Sequence, residues 1–313
     1  MNDAHVILCP GQGAQRVGMG KAWFDASPIA AQTFGAADKI LADALGAPLS
    51  QISFEGPPTR LNRTDVAQPA LYTCGVASYQ AWVGERELTL AAVAGMSLGE
   101  YTALHLAGAI SFEDGLRLVH LRGRAMQDAA EAIPSGMVAL IGADADQADA
   151  LCQRVTAHRA DLLLVCANFN APGQIVLSGH AEACDRVVEL AADAGLRATR
   201  LPVAGAFHSP LMKPAATRLG EALAAVEIAE PRCPVLSNVT GAPHEAGEKG
   251  FAQRVRDGLV AQLTSPVRWQ ECCRWLASNA EGAYHELAPG KTLTGLMRRI
   301  DRTIKVTPHD EPD

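Results

Sequence analysis

The sequence predicts an α/β protein in two parts: a larger α/β domain assembled from both ends of the chain, and a small α+β domain inserted into it. Three observations carry this. The length of 313 residues accommodates two domains at roughly 150 residues each. Unbroken apolar runs at 6–9 and 91–95 are each followed by a glycine-bearing turn and a helical pattern, which is how fully buried strands read. Between about 133 and 203 the rhythm changes to short strands interleaved with two helices.

The elements follow in order. The run Val6-Ile7-Leu8-Cys9 is stopped by Pro10 and followed by the loop Gly11-Gln12-Gly13-Ala14-Gln15, with a helix expected after it. Helical patterns over about 29–45 and 66–83 flank the turn-rich stretch 55–59. The second buried strand, 91–95, enters Met96-Ser97-Leu98-Gly99-Glu100 and a further helix, and another helix covers about 113–131. Then come a strand at 137–141, a helix at about 146–159, strands at 162–166 and 174–177, a helix at about 180–194 and a strand at 197–201. That β-α-β-β-α-β order is the ferredoxin-like one. The expected division is therefore 1–132 with 204–313 for the large domain and 133–203 for the insertion. The tail 307–313, with two prolines and three acids, is expected to fray.

Composition excludes several classes. With 48% hydrophobic, 19% charged and 5% aromatic residues, the chain has the make-up of a globular protein rather than a disordered one. Lys+Arg 27 against Asp+Glu 34 leaves a net charge of −7, and no basic cluster offers a footprint for nucleic acid. The eight cysteines lie mostly in apolar segments without Cys-x-x-Cys spacing, so they read as reduced core thiols with no metal site. Asp3 and the lack of early Lys or Arg spoil a secretory leader. No run of about 18 apolar residues offers a membrane span. A cytoplasmic protein is expected. No dinucleotide fingerprint is present either, so no bound cofactor is implied.

Gly95-Met96-Ser97-Leu98-Gly99 has the Gly-x-Ser-x-Gly form of a nucleophile elbow. Its tight strand-to-helix turn projects the serine and aims the next backbone N–H at an oxyanion. A serine hydroxyl needs a base, and His208 in Gly205-Ala206-Phe207-His208-Ser209-Pro210 sits in a loop between a strand and a helix. His105 and His120 fall within helices, while His158, His180, His244, His285 and His309 read as lying at ends or surfaces. On the helix near 113–131, at about 100° per residue, Leu118, Val119, Ala125 and Met126 share one sector, with Arg117, Arg124 and Asp128 opposite. Arg122 falls in the middle of the apolar sector. A guanidinium there needs either a protein carboxylate or an anionic ligand, and its planar fork suits a carboxylate.

These segments, together with Pro10–Gln15, Asn168-Phe169-Asn170-Ala171-Pro172-Gly173-Gln174, the continuation Leu211-Met212-Lys213-Pro214 and Pro289-Gly290-Lys291-Thr292-Leu293-Thr294-Gly295, resemble the malonyl-CoA:acyl carrier protein transacylases in family order along nearly the whole chain. The resemblance implies an α/β-hydrolase-like large domain, an inserted ferredoxin-like small domain and an active site between them. It implies Ser97 as the acylated nucleophile, His208 as its base and Arg122 as the clamp on the malonyl carboxylate. The backbone N–H groups of Gln12 and Leu98 are implied as the oxyanion hole. The histidine is expected to be oriented by a backbone carbonyl at Arg268, in Ser265-Pro266-Val267-Arg268-Trp269. Phe207, in an Ala-Phe-His triplet that accompanies malonyl units in related polyketide acyltransferases, is implied to crowd an α-methyl group. Two residues depart from many members: Met96 where histidine is common, and Arg268 where some carry glutamine.

The partners implied are malonyl-CoA as substrate and a phosphopantetheinylated acyl carrier protein as acceptor. Carrier proteins are acidic and so is this chain, so docking is expected on local positive charge, with Lys291, Arg298, Arg299, Arg302 and Lys305 as candidates and Arg60 and Arg63 as outsiders. The competing reading with the same serine and histidine is an acyl hydrolase, which has no use for a buried cation. A trans-acting polyketide acyltransferase with a different acyl group is the other alternative.

Overall fold

The computed structural model describes residues 4–157, 159–245 and 250–312. Eight strands organise it: β1 Ala4–Cys9, β2 Thr89–Gly95, β3 Ser135–Ile141, β4 Leu164–Ala171, β5 Gln174–His180, β6 Arg197–Arg200, β7 Ala283–Leu287 and β8 Val306–His309. They form two four-stranded sheets. The first is parallel in the order β2-β1-β7-β8. The second is antiparallel in the order β4-β5-β3-β6.

The parallel sheet explains the unbroken apolar runs. Ile7 and Cys9 of β1 and Val93 of β2 point into one core cluster, while Val6, Leu8, Ala92 and Ala94 point into another on the opposite face. A strand covered on both sides has no polar face to alternate with. The inserted sheet carries its helices Ala145–Thr156 and Ala181–Asp193 over a separate core that includes Val138, Leu151, Ile175 and Val187. Its β-α-β-β-α-β order and its strand arrangement are those of the ferredoxin-like unit.

Local chemistry sets the helix starts. Ser27 caps the helix Pro28–Leu45 with Pro28 at its first position, and Ser111 caps Phe112–Ala132 by accepting from the Asp114 N–H. Asp144 and Gln147 close a reciprocal capping box at the head of Ala145–Thr156. That helix ends short of the expected 159, and His158 lies outside the described residues, as do Asp3 and Asp313.

Three expectations are corrected. The strand expected at 162–166 runs from Leu164 to Ala171, because its antiparallel ladder with β5 continues as far as Ala171 opposite Gln174. On its other side Ala167 and Phe169 exchange backbone hydrogen bonds with Val267 from the large part of the chain (2.8 and 2.9 Å). The tail is not frayed over its described residues. Its Val306–His309 pairs with β7, and Asp310 accepts from the Gly290 N–H at 2.7 Å and from Arg16 at 2.9 Å. The sheet satisfies backbone groups that the local composition leaves open. His244, His285 and His309 are buried rather than at the surface. His285 bridges His5 and His309 through its two ring nitrogens (3.0 and 2.9 Å). Burial, then its two histidine neighbours, push its pKa down to about 4.

All eight cysteines are buried and free. Among the described residues no helix is long and apolar enough to cross a membrane.

Candidate active site

Two glycines let the turns beyond β1 and β2 cross in contact. A Cβ on Gly11 would stand 2.2 Å from the Met96 carbonyl oxygen, and one on Gly99 would stand 2.2 Å from that of Cys9. Only glycine allows backbones this close. The crossing brings Gln12 to the cavity that Ser97 lines, and it sets Leu98, the residue before the helix Gly99–Leu106, beside the serine. N–H groups at such a helix start have no intrahelical acceptor and point at an incoming negative charge.

Ser97 and His208 have φ of 52° and 55° and are the two non-glycine residues with positive φ among the described residues. Both stand in the left-handed region, whose cost persists only where the surroundings over-determine it. The His208 Nε2 lies 2.8 Å from Ser97 Oγ, and its Nδ1 lies 2.8 Å from the Gln262 carbonyl oxygen. A carbonyl can only accept, so Nδ1 carries the hydrogen and Nε2 presents its lone pair to the serine hydroxyl. Burial, then the nearby Arg122 charge, lower the His208 pKa to about 4, against a smaller upward pull from the Gln262 carbonyl. The ring is therefore neutral at pH 7.

The carbonyl behind His208 thus belongs to Gln262 and not to Arg268. Gln262 is the last residue of the helix Phe251–Gln262, where the final carbonyls have no intrahelical donor and are free for other partners. The chain beyond it turns away to bond β4, and Arg268 ends with its N–H on the Asn238 carbonyl (2.9 Å) and its side chain on Glu271 (2.8 Å).

Arg122 is 1% exposed, so the phase of its helix places it as the periodicity predicts. Its partners are neither of the two kinds anticipated. Nη1 donates to Gln68 Oε1 at 2.7 Å; Nη2 donates to Gln262 Oε1 at 2.9 Å and to Ser97 Oγ at 3.0 Å. The cation packs over the Tyr101 ring at 5.6 Å. The nearest carboxylate, Glu100, is one amide away: Gln262 Nε2 donates to Glu100 Oε2 at 2.6 Å and to the Ser97 carbonyl at 3.1 Å. Glu100 also accepts from His244 Nε2 at 2.7 Å and from the Asn238 N–H at 3.0 Å. A fully buried guanidinium held by neutral oxygens keeps charge to spare for an anion.

A cavity of about 160 Å³ opens on Ser97 and His208, lined also by Gln12, Met96, Met126 and Phe207. Phe207 is buried, and its carbonyl accepts from Ser178 Oγ at 2.7 Å. A second cavity of about 490 Å³ is also lined by His208, with Cys166, Phe169 and Arg268. Among the described residues, no three His, Cys, Asp or Glu side chains are grouped to hold a metal ion.

The structure therefore brings Ser97, His208, Arg122, Gln12, Leu98 and Phe207 to one place and leaves Arg268 at its rim. Sequence reasoning missed Gln262, Gln68, Asn238, Glu100 and His244. Glu100 alone carried a signal, being an acid in an otherwise apolar stretch straight after the elbow.

A serine hydroxyl on the turn that leaves a parallel strand, a neutral imidazole from the loop before Pro210 and a buried cation from the helix Phe112–Ala132 define an enzyme of the acyl-transferring class. Residues 6–307 match the family described as acyl transferase domain. The malonyl CoA-acyl carrier protein transacylase of Escherichia coli (strain K12) is 40% identical over 311 residues, 98% of this chain and 96% of that one. A crystal structure of malonyl-CoA:acyl carrier protein transacylase from Xanthomonas oryzae pv. oryzae superposes with a TM-score of 0.91 at 39% identity, covering 100% of this chain and 96% of the other. A malonyl-transacylase solved in complex with a type II polyketide synthase acyl-carrier protein superposes at 0.90, with 36% identity and 99% and 96% coverage. The chain belongs to the acyl transferase domain family, alongside the malonyl CoA-acyl carrier protein transacylases.

Proposed function

We propose that this chain moves a malonyl group from malonyl-CoA, through an ester on Ser97, to the phosphopantetheine thiol of an acyl carrier protein. His208 Nε2 takes the Ser97 proton as Oγ bonds to the thioester carbonyl carbon. The C–S bond then breaks, and the coenzyme A sulfur leaves with the proton returned from His208. In the second half the carrier thiol gives its proton to His208 and its sulfur attacks the ester carbonyl. The C–O bond breaks and Ser97 recovers its hydroxyl. In both halves the developing oxyanion sits between the backbone N–H groups of Gln12 and Leu98.

The observation that carries this reading is Arg122, buried, caged by amide oxygens and 3.0 Å from the Ser97 hydroxyl. A simple acyl chain offers such a cation nothing, whereas the free carboxylate of a malonyl ester accepts both arms of its fork. Phe207, lining the same cavity, bounds the space beside the malonyl α-carbon. The fully reduced cysteine complement supports a cytoplasmic setting. The separate antiparallel sheet supports dividing the chain at 132/133 and 203/204.

Intact-mass measurement after mixing with malonyl-CoA tests the assignment. A malonyl adduct is expected on the wild type and none on Ser97→Ala. An adduct that persists on the variant overturns it.

A further inference from the structure

The sheet does not stop at its hydrogen-bonded strands. Val93 of β2 donates its N–H to the Pro234 carbonyl (2.9 Å) and accepts from the Leu236 N–H (3.1 Å), the pattern of a parallel neighbour along 234–236. Two residues on, that ladder calls for the Asn238 N–H on the Gly95 carbonyl, and for the Ser97 N–H on the Asn238 carbonyl. Neither backbone bond is made. The Asn238 N–H goes to Glu100 Oε2 (3.0 Å) and its carbonyl accepts from the Arg268 N–H (2.9 Å). The side-chain amide takes both places: Nδ2 donates to the Gly95 carbonyl at 2.8 Å, and Oδ1 accepts from the Ser97 N–H at 2.5 Å.

From this geometry we infer that Asn238 is a positioning residue for the nucleophile, its side-chain amide extending the parallel ladder into the elbow and holding Ser97 in its left-handed conformation. The inference rests on Ser97 being the acylated residue. Asn238 touches no reacting atom. It acts through the Ser97 backbone, whose φ of 52° needs an external partner to persist. It is fully buried, so water cannot replace either bond. Both functions of the amide are required at once, a donor toward Gly95 and an acceptor toward Ser97.

Asn238→Asp separates these functions by pH. Protonated, the carboxylic acid donates to the Gly95 carbonyl and accepts from Ser97 as the amide does. Ionised, it only accepts, and the Gly95 carbonyl loses its donor. Burial raises the pH at which it ionises. The readout is the single-turnover rate of Ser97 malonylation, taken as the ratio of Asn238→Asp to wild type between about pH 5.5 and about pH 8.5, a range chosen to include the raised ionisation. Both proteins are checked to be folded at each pH. The ratio is expected to be near one at the acid end and to fall as pH rises. Asn238→Ala is expected to slow malonylation by about 100-fold, the scale of a small misplacement of a reacting group, with little change in malonyl-CoA KM. A pH-independent ratio, or an Asn238→Ala variant that malonylates like wild type, overturns the inference while leaving Ser97 in place. If the wild type forms no adduct at Ser97, the nucleophile assignment itself falls and this inference falls with it.

Discussion

His208 Nδ1 donates to the Gln262 carbonyl oxygen at 2.8 Å, and among the described residues no carboxylate stands behind the ring. A carbonyl fixes the tautomer and the ring plane as an acid would. It does not supply a full negative charge to stabilise an imidazolium, so burial and the Arg122 charge prevail and hold the pKa at about 4.

This sets the pH dependence. Neutral His208 is the working form, so kcat/KM for malonyl-CoA is expected to rise with pH through about 4 and stay level to neutrality. Arg122→Gln removes the second cause and leaves the larger one, burial, so the acid limb shifts upward yet remains below 6.5. A limb unmoved by that substitution would contradict the coupling. The same ring destabilises the fold in acid. The unfolded chain binds its proton first, near 6.5, so stability falls between there and about 4, by at most about 1.4 kcal/mol per pH unit for the one group.

Gln262 and Arg268 are expected to behave oppositely. Gln262→Ala keeps the carbonyl for His208 but leaves Arg122 short of an acceptor and Glu100 short of a donor. It is expected to destabilise the protein by about 1–3 kcal/mol and to lower malonyl transfer. Arg268→Ala removes a side-chain pair with Glu271 at 44% and 42% exposure, worth under about 1 kcal/mol, and leaves transfer as it is. Urea melts and malonyl-transfer rates on both variants check the contrast.

Acyl choice divides between two residues. Arg122→Ala is expected to cost about 2–5 kcal/mol of malonyl transfer, as for one partner removed from a buried charge pair, and to favour acetyl-CoA relative to malonyl-CoA. Phe207→Ser is expected mainly to admit methylmalonyl-CoA. The kcat/KM ratios for the three thioesters decide, and a malonyl-to-acetyl ratio unchanged by Arg122→Ala returns the hydrolase reading to the front.

Carrier docking is expected on the basic last turn of the helix Thr292–Ile300, which carries Arg298 and Arg299. Reversing both to Glu should raise the carrier-protein KM several-fold while malonylation of Ser97 by malonyl-CoA keeps its rate, because rim charges act mainly on encounter. Equal loss in both half-reactions would point instead to a damaged fold.

The elbow, the His208 loop, the phase that buries Arg122 and the β-α-β-β-α-β order of the insertion were legible in the residues alone. Each of these is written in local chemistry: glycines where backbones cross, a helical period of 3.6, apolar runs where strands are covered on both faces. The contacts that hold them come from distant chain. Asn238 meets Ser97 across 141 residues of chain, and Gln262 meets Glu100 across 162. A side-chain amide that bonds to a distant backbone leaves no periodicity to read. The error at Arg268 has the same origin, since which carbonyl faces His208 depends on where the helix Phe251–Gln262 ends against the elbow. The ordered tail does too: β8 holds because β7 and the Gly290 turn supply its partners, and a strand's hydrogen bonds are completed only by chain that lies far away in sequence.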